Sequence, residues 1–155
     1  LRILNFAFPI LIIQIILGVW LSSNYAALAC SDFPLCKGVI LPEADYTKGF
    51  NFLQRIGPDY LGGQLDHQSR VAIHLVHRFG ALVVTVYFLA LAYLFARNKN
   101  YFVSGLIGGL LFLQLVLGVS NIIYRLPLYV AIAHNLGALF LLLGLSYVRL
   151  RTREY

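Results

Sequence analysis

A chain of 155 residues that is 60% hydrophobic and 12% charged, with a mean hydropathy of +0.79, is too apolar for a soluble domain. Its formal net charge of +6 does not mark a nucleic-acid binder, because the basic residues sit at the ends of apolar runs and not on one soluble face. Composition directs the reading to the lipid bilayer as solvent and partner.

A membrane-crossing helix takes about 20 apolar residues, and four runs qualify: residues 3–22, 71–95, 101–123 and 128–148. The first is too long for a signal peptide, and no small-residue cleavage site follows it. It carries Gln14-Ile15-Ile16-Leu17-Gly18-Val19 and closes on Ser23-Asn24. The loop 23–70 follows. Gly49, Gly57-Pro58 and Gly62-Gly63 interrupt it, so little regular structure is expected there. Its stretch 45–56, with Tyr46, Phe50 and Phe52, suits either a membrane-surface segment or a weakly packed loop. Cys30 and Cys36 are the only cysteines, and Pro34 stiffens the turn between them. Two cysteines at that spacing make a poor zinc site. On the outward side of a membrane they predict a disulfide, a structural staple with redox exchange as the alternative.

The second run opens on His74-Leu75-Val76-His77-Arg78-Phe79-Gly80-Ala81-Leu82. The third holds Gln114-Leu115-Val116-Leu117-Gly118-Val119, followed by Ser120-Asn121, and so restates the first. The fourth opens on His134-Asn135-Leu136-Gly137-Ala138-Leu139, which shares His-x-x-Gly-Ala-Leu with the second. One helical hairpin thus occurs twice in parallel orientation, an arrangement that places sites at the repeat interface. The expected fold is all-α: an integral membrane four-helix bundle of two repeated hairpins, forming a single domain over 1–155.

Arg2, Arg97-Asn98-Lys99 and the basic cluster from Arg149 to Arg153 share one side if the chain crosses four times. The positive-inside rule makes that side cytoplasmic, with both termini inside and the long loop outside. Trp20, Tyr25, Tyr124 and Tyr129 then fall at the outer interface, and Tyr101 and Tyr147 near the inner one, as an aromatic belt would.

Ionisable residues within a span are costly and suggest function. His77 and His134 each lie about 9 Å into spans running the same way, at 1.5 Å per residue. Two imidazoles at one height on facing helices suit the axial positions of one heme iron; the plain alternative is hydrogen-bonded packing. Gly80 and Gly137 share the histidine faces, and with Gly18 and Gly118 they allow either close helix approach or room for a flat macrocycle. Arg78 suits a heme propionate through its planar fork, or else snorkels to the interface. His74, one turn nearer water, is a second-site ligand, a proton relay or, by preference, a polar lining of the pocket mouth. His67, beside Asp66 and Gln68, is expected in the solvated loop.

In order along the chain stand Cys-x-x-Phe-Pro-x-Cys-x-Gly after Gly-Val-Trp, then His-Arg-x-Gly-Ala, Leu-Gly-Val-Ser-Asn and Ala-His-Asn-x-Gly-Ala. This order resembles the heme A synthase family, cytochrome oxidase assembly proteins that oxidise the heme O methyl group on the way to heme A. The resemblance covers nearly the whole chain. It implies eight spans in two similar four-helix halves, each with a histidine pair and often an outer cysteine pair. It also implies a bacterial plasma membrane or mitochondrial inner membrane location, with heme O and heme A as substrate and product. By that likeness His77 and His134 are axial ligands and Cys30–Cys36 a disulfide. Two departures matter. Four spans correspond to one half, and His74 stands where the catalytic amino-terminal half usually has a glutamate. The likeness is therefore to the carboxy-terminal half, which implies a b-type heme and leaves the chain's own enzymatic activity open. An amino-terminal half or self-association would be needed. The chain opens on leucine and has no methionine, as a fragment would. A b-type cytochrome for quinone-linked or transmembrane electron transfer, or a heme-free scaffold or transporter, are the other readings.

Overall fold

A computed structural model describes residues 2–53 and 64–152. Among them the structure is helical, with α1 over Arg2–Ser23, α2 over Tyr46–Gly49, α3 over His67–Arg97, α4 over Tyr101–Ile123 and α5 over Leu128–Arg151. No strand occurs among the described residues; Cys36 and Val39 form an isolated bridge. The helices α1, α3, α4 and α5 are long and apolar enough to cross a membrane. The chain is an all-helical integral membrane bundle, as the apolar runs predict. The glycine breaks at 57–58 and 62–63 lie outside the described residues.

Helix boundaries follow capping chemistry more than hydropathy. Asp66 caps α3 by accepting from the Ser69 amide, and Asn100 caps α4 by accepting from the Val103 amide. The α3 cap lies ahead of the apolar run, so the helix starts at His67 and not near Val71. His67 is therefore its first residue, solvent-exposed as expected but helical. At 31 residues, α3 spans roughly 46 Å at 1.5 Å per residue, well beyond the ~30 Å hydrocarbon core. Its surplus first turns carry the loop. The Asp45 amide bonds Gln68 O at 3.1 Å, and Trp20 donates its indole N–H to Gly49 O at 2.9 Å. Trp20 thus braces α2 against the bundle. Stretch 45–56 contains a helix seated on α3 in its described part.

Around the bundle α1 neighbours α3, α3 neighbours α4, α4 neighbours α5, and α5 returns to α1. Among the described residues no Cα of α3 comes within 8 Å of α5, nor of α1 within 8 Å of α4, so these pairs are diagonal. The histidine-bearing helices face each other across the bundle.

The packed core draws on all four long helices but on one end only. It comprises Leu4, Ala7 and Leu11 of α1, Val84, Phe88, Leu91 and Ala92 of α3, Val103, Ile107 and Leu111 of α4, and Leu141, Leu145 and Val148 of α5. Every one lies toward the chain termini from the level of His77 and His134. Toward the loop, the buried clusters join α1, α3 and loop residues such as Ala26, Leu65 and the two cysteines. Neither cluster ties α3 to α5.

Candidate functional site

Each histidine meets a glutamine from the helix beside it. Gln14 Nε2 of α1 lies 3.2 Å from His77 Nδ1 and donates to the His77 main-chain oxygen at 3.1 Å. Gln114 Nε2 of α4 lies 3.4 Å from His134 Nε2. The four glycines of the repeated motifs frame these pairs. A Cβ on Gly18 would stand 3.2 Å from His77 Cε1, and one on Gly118 would stand 3.1 Å from His134 Cε1. A Cβ on Gly80 would overlap Gln14 Oε1, and one on Gly137 would overlap Gln114 Oε1. In each hairpin, then, one glycine admits the imidazole and the opposite glycine admits the amide.

Glutamine was not among the expected site residues. The signal for it stood in the motifs themselves, as a polar side chain held at one place in two otherwise apolar repeats.

Among the described residues the remaining nitrogen of each ring makes no hydrogen bond. His134 Nδ1 is buried and unbonded, and His77 Nε2 makes no hydrogen bond among the described residues. Gln14 Oε1, Gln114 Oε1 and, about two turns further along α4, Asn121 Oδ1 are buried without partners among the described residues. Such groups are costly in an apolar interior and call for a ligand or ordered partner. Among the described residues no group of three or more His, Cys, Asp or Glu could hold a metal ion. Two imidazoles are too few for a bare transition metal but suit an iron whose other positions a macrocycle fills. The donor set and the diagonal placement fit heme.

Arg78 is oriented toward the loop. Its terminal nitrogens donate to Leu35 O and Asp32 O, both at 2.7 Å, and to Pro34 O and Cys30 O, both at 3.4 Å. These four carbonyls belong to the loop closed by the Cys30–Cys36 disulfide, whose Cα atoms are 4.6 Å apart. The guanidinium also lies 5.6 Å from the Phe33 ring centre, close enough for cation–π attraction. Only its Nε is buried without a partner. In place of the expected carboxylate, main-chain oxygens fill the fork. His74 is 3% exposed and its Nδ1 lies 3.0 Å from Ala26 O, to which it donates. That ring is enclosed under the loop and not at an open mouth. The disulfide predicted from the cysteine spacing is present.

Outside the membrane the electrostatics fix the loop. The amides of Gly38 and then Lys37 hold the Asp32 carboxyl below its usual range. Ser69, through side chain and amide, and then the Lys48 ammonium bring Asp66 down to about 2. Lys48 lies 3.2 Å from Asp66 and 3.7 Å from Asp45, and so links α2 to the start of α3.

Four helices long and apolar enough to cross a membrane, two diagonal members of which carry glutamine-held histidines, define an all-helical integral membrane protein. Residues 1–146 match the family model for cytochrome oxidase assembly protein, COX15-CtaA. The chain is 44% identical over 137 residues to the heme A synthase of Shewanella oneidensis, covering 88% of this chain and 42% of that protein. It is 30% identical over 148 residues to that of Wolbachia pipientis wMel, covering 92% and 38%, and 28% identical over 141 residues to that of Erythrobacter litoralis, covering 89% and 37%. No solved structure matches. The chain belongs to the cytochrome oxidase assembly protein family that includes these heme A synthases. It spans about two fifths of the length of the relatives it matches.

Proposed function

We propose that this chain is a heme-binding membrane domain of a heme A synthase, acting in the oxidation of heme O to heme A for cytochrome oxidase assembly. His77 and His134 would hold one b-type heme through its iron. One observation carries the reading: histidines on diagonal helices each keep one ring nitrogen without a hydrogen-bond partner among the described residues. Bound heme would supply an iron centre that takes and gives single electrons. The chain's own part is to hold and shield that centre. Phe88 and Leu145, fully buried, belong to the core that closes the terminal side, while the Arg78-clamped disulfide loop covers α3 on the other.

Arg78 is assigned to the loop in this reading, one residue from His77, so the staple and the ligand share a helix turn. His74 supports the same turn through Ala26. The likeness of Gln14–His77 to Gln114–His134 supports a duplicated hairpin, and the basic helix ends support cytoplasmic termini. Two four-helix halves would complete the protein, this chain being the carboxy-terminal type because His74 stands in the place of the catalytic glutamate. Oxidation of the heme O methyl group would then belong to the partner half.

The test is the optical spectrum of the purified protein, expressed with heme available. A low-spin bis-imidazole spectrum is expected, lost or changed to high-spin in His77→Ala and in His134→Ala. Colourless parent protein, or variants with the parent's spectrum, would overturn the reading.

A further inference from the structure

We propose that Gln14 and Gln114 are positioning residues: each amide grips one ring nitrogen of its histidine and so leaves the other to face the iron. This rests on the bis-histidine heme reading. A ligating imidazole nitrogen must be bare, so the proton of the neutral ring sits on the other nitrogen and needs an acceptor. In both hairpins that other nitrogen faces the glutamine amide, His77 Nδ1 at 3.2 Å and His134 Nε2 at 3.4 Å.

A glutamine amide is both donor and acceptor. Turned one way, its Nε2 donates to a bare ring nitrogen. Turned by half a rotation, its Oε1 accepts from a protonated one, which for Gln14 exchanges the bond from Nε2 to the His77 main-chain oxygen for one from the ring N–H. Both Oε1 atoms are buried and unpartnered, so each amide holds an acceptor in reserve beside the ring. Gly80 and Gly137 keep the space that Oε1 occupies. Leucine would fill a similar volume and offer the ring nothing. The same pairing occurs in both hairpins, although the ring nitrogen presented to the amide differs between them.

The test uses the full chain with heme bound. Gln14→Leu and Gln114→Leu should weaken heme binding by about 10–100-fold, the usual cost of losing an outer partner of a metal-bound histidine. They should also raise the midpoint potential, since an imidazole without its acceptor is a poorer electron donor to ferric iron. Gly80→Ala and Gly137→Ala, which displace the amide without removing it, should move the potential the same way. A purely structural role predicts lower thermal stability with unchanged potential and heme affinity in the folded fraction. That result would overturn the proposal. His77→Ala and His134→Ala serve as the control arm. If they lose heme while the glutamine variants match the parent, only this proposal fails. If they retain the parent's heme signal, the underlying ligand assignment fails.

Discussion

Arg78 shows how one side chain organises a loop that has little secondary structure of its own. Its two terminal nitrogens serve four carbonyls of the segment from Cys30 to Leu35. A lysine keeps the charge but lacks the planar fork. Arg78→Lys should therefore free the loop and speed thiol–disulfide exchange at Cys30–Cys36 several-fold, read by the rate of reduction with a small thiol. An unchanged rate would remove Arg78 from the loop's anchorage. The neighbouring carboxylates set an acid limit. Asp66 has a folded pKa of about 2 against an ordinary 3.8. A depressed carboxyl contributes stability that is complete above the unfolded value and lost as pH falls through the folded one. The α3 start should keep its amide protection above about pH 4 and lose it between pH 4 and 2, with Asp32 loosening the loop as its own lowered pKa is passed. Hydrogen exchange at Ser69 and Gly38 follows both. The sequence made Arg78 visible as an odd charge near a span end, but not its partners. Main-chain carbonyls have no sequence signature, and a fork suited to a propionate suits them equally.

Helix ends and helix contacts decide what the elements can do. Gly49 closes α2 against α3, where an added Cβ would stand 2.7 Å from the Ser69 main-chain oxygen. Backbone cannot step aside as a flexible side chain can, so Gly49→Ala should cost about 1–3 kcal/mol of overpacking and detach α2 from α3. Loss of the shielded indole fluorescence of Trp20 would report it. Asn100 is a simpler case: removal of this N-cap in Asn100→Ala should cost about 1 kcal/mol, seen as a lowered unfolding midpoint. The four spans were legible because burial in lipid demands long apolar runs. The start of α3 was not, because Asp66 nucleates the helix ahead of the apolar stretch. The glycines were legible as small residues but not by role. Only the helix rotations show that Gly18 and Gly118 meet imidazoles while Gly80 and Gly137 meet glutamine amides.

At the scale of the whole molecule, one apolar core ties all four long helices at the end toward the termini, while at the loop end separate apolar clusters join α1, α3 and the loop. Repetition made part of this readable: His77 and His134 stand in the same motif on two spans, although α3 starts at His67 and α5 at Leu128, so the helix starts do not lie at equal distances before them. The ring order of the helices was not readable, since short turns fix which helices are neighbours in sequence and leave the diagonal pairs to side-chain packing. The same limit hid Gln14 and Gln114, whose reach to the rings depends on how α1 lies on α3 and α4 on α5. The proposed function comes down to a single heme held between α3 and α5. Electron paramagnetic resonance of the oxidised, purified chain, together with its heme-to-protein ratio, tests it most directly. The expected result is one heme per chain with a low-spin bis-imidazole signal that disappears in the His77→Ala, His134→Ala double variant. A heme-free chain, or a low-spin signal surviving in that double variant, would contradict it.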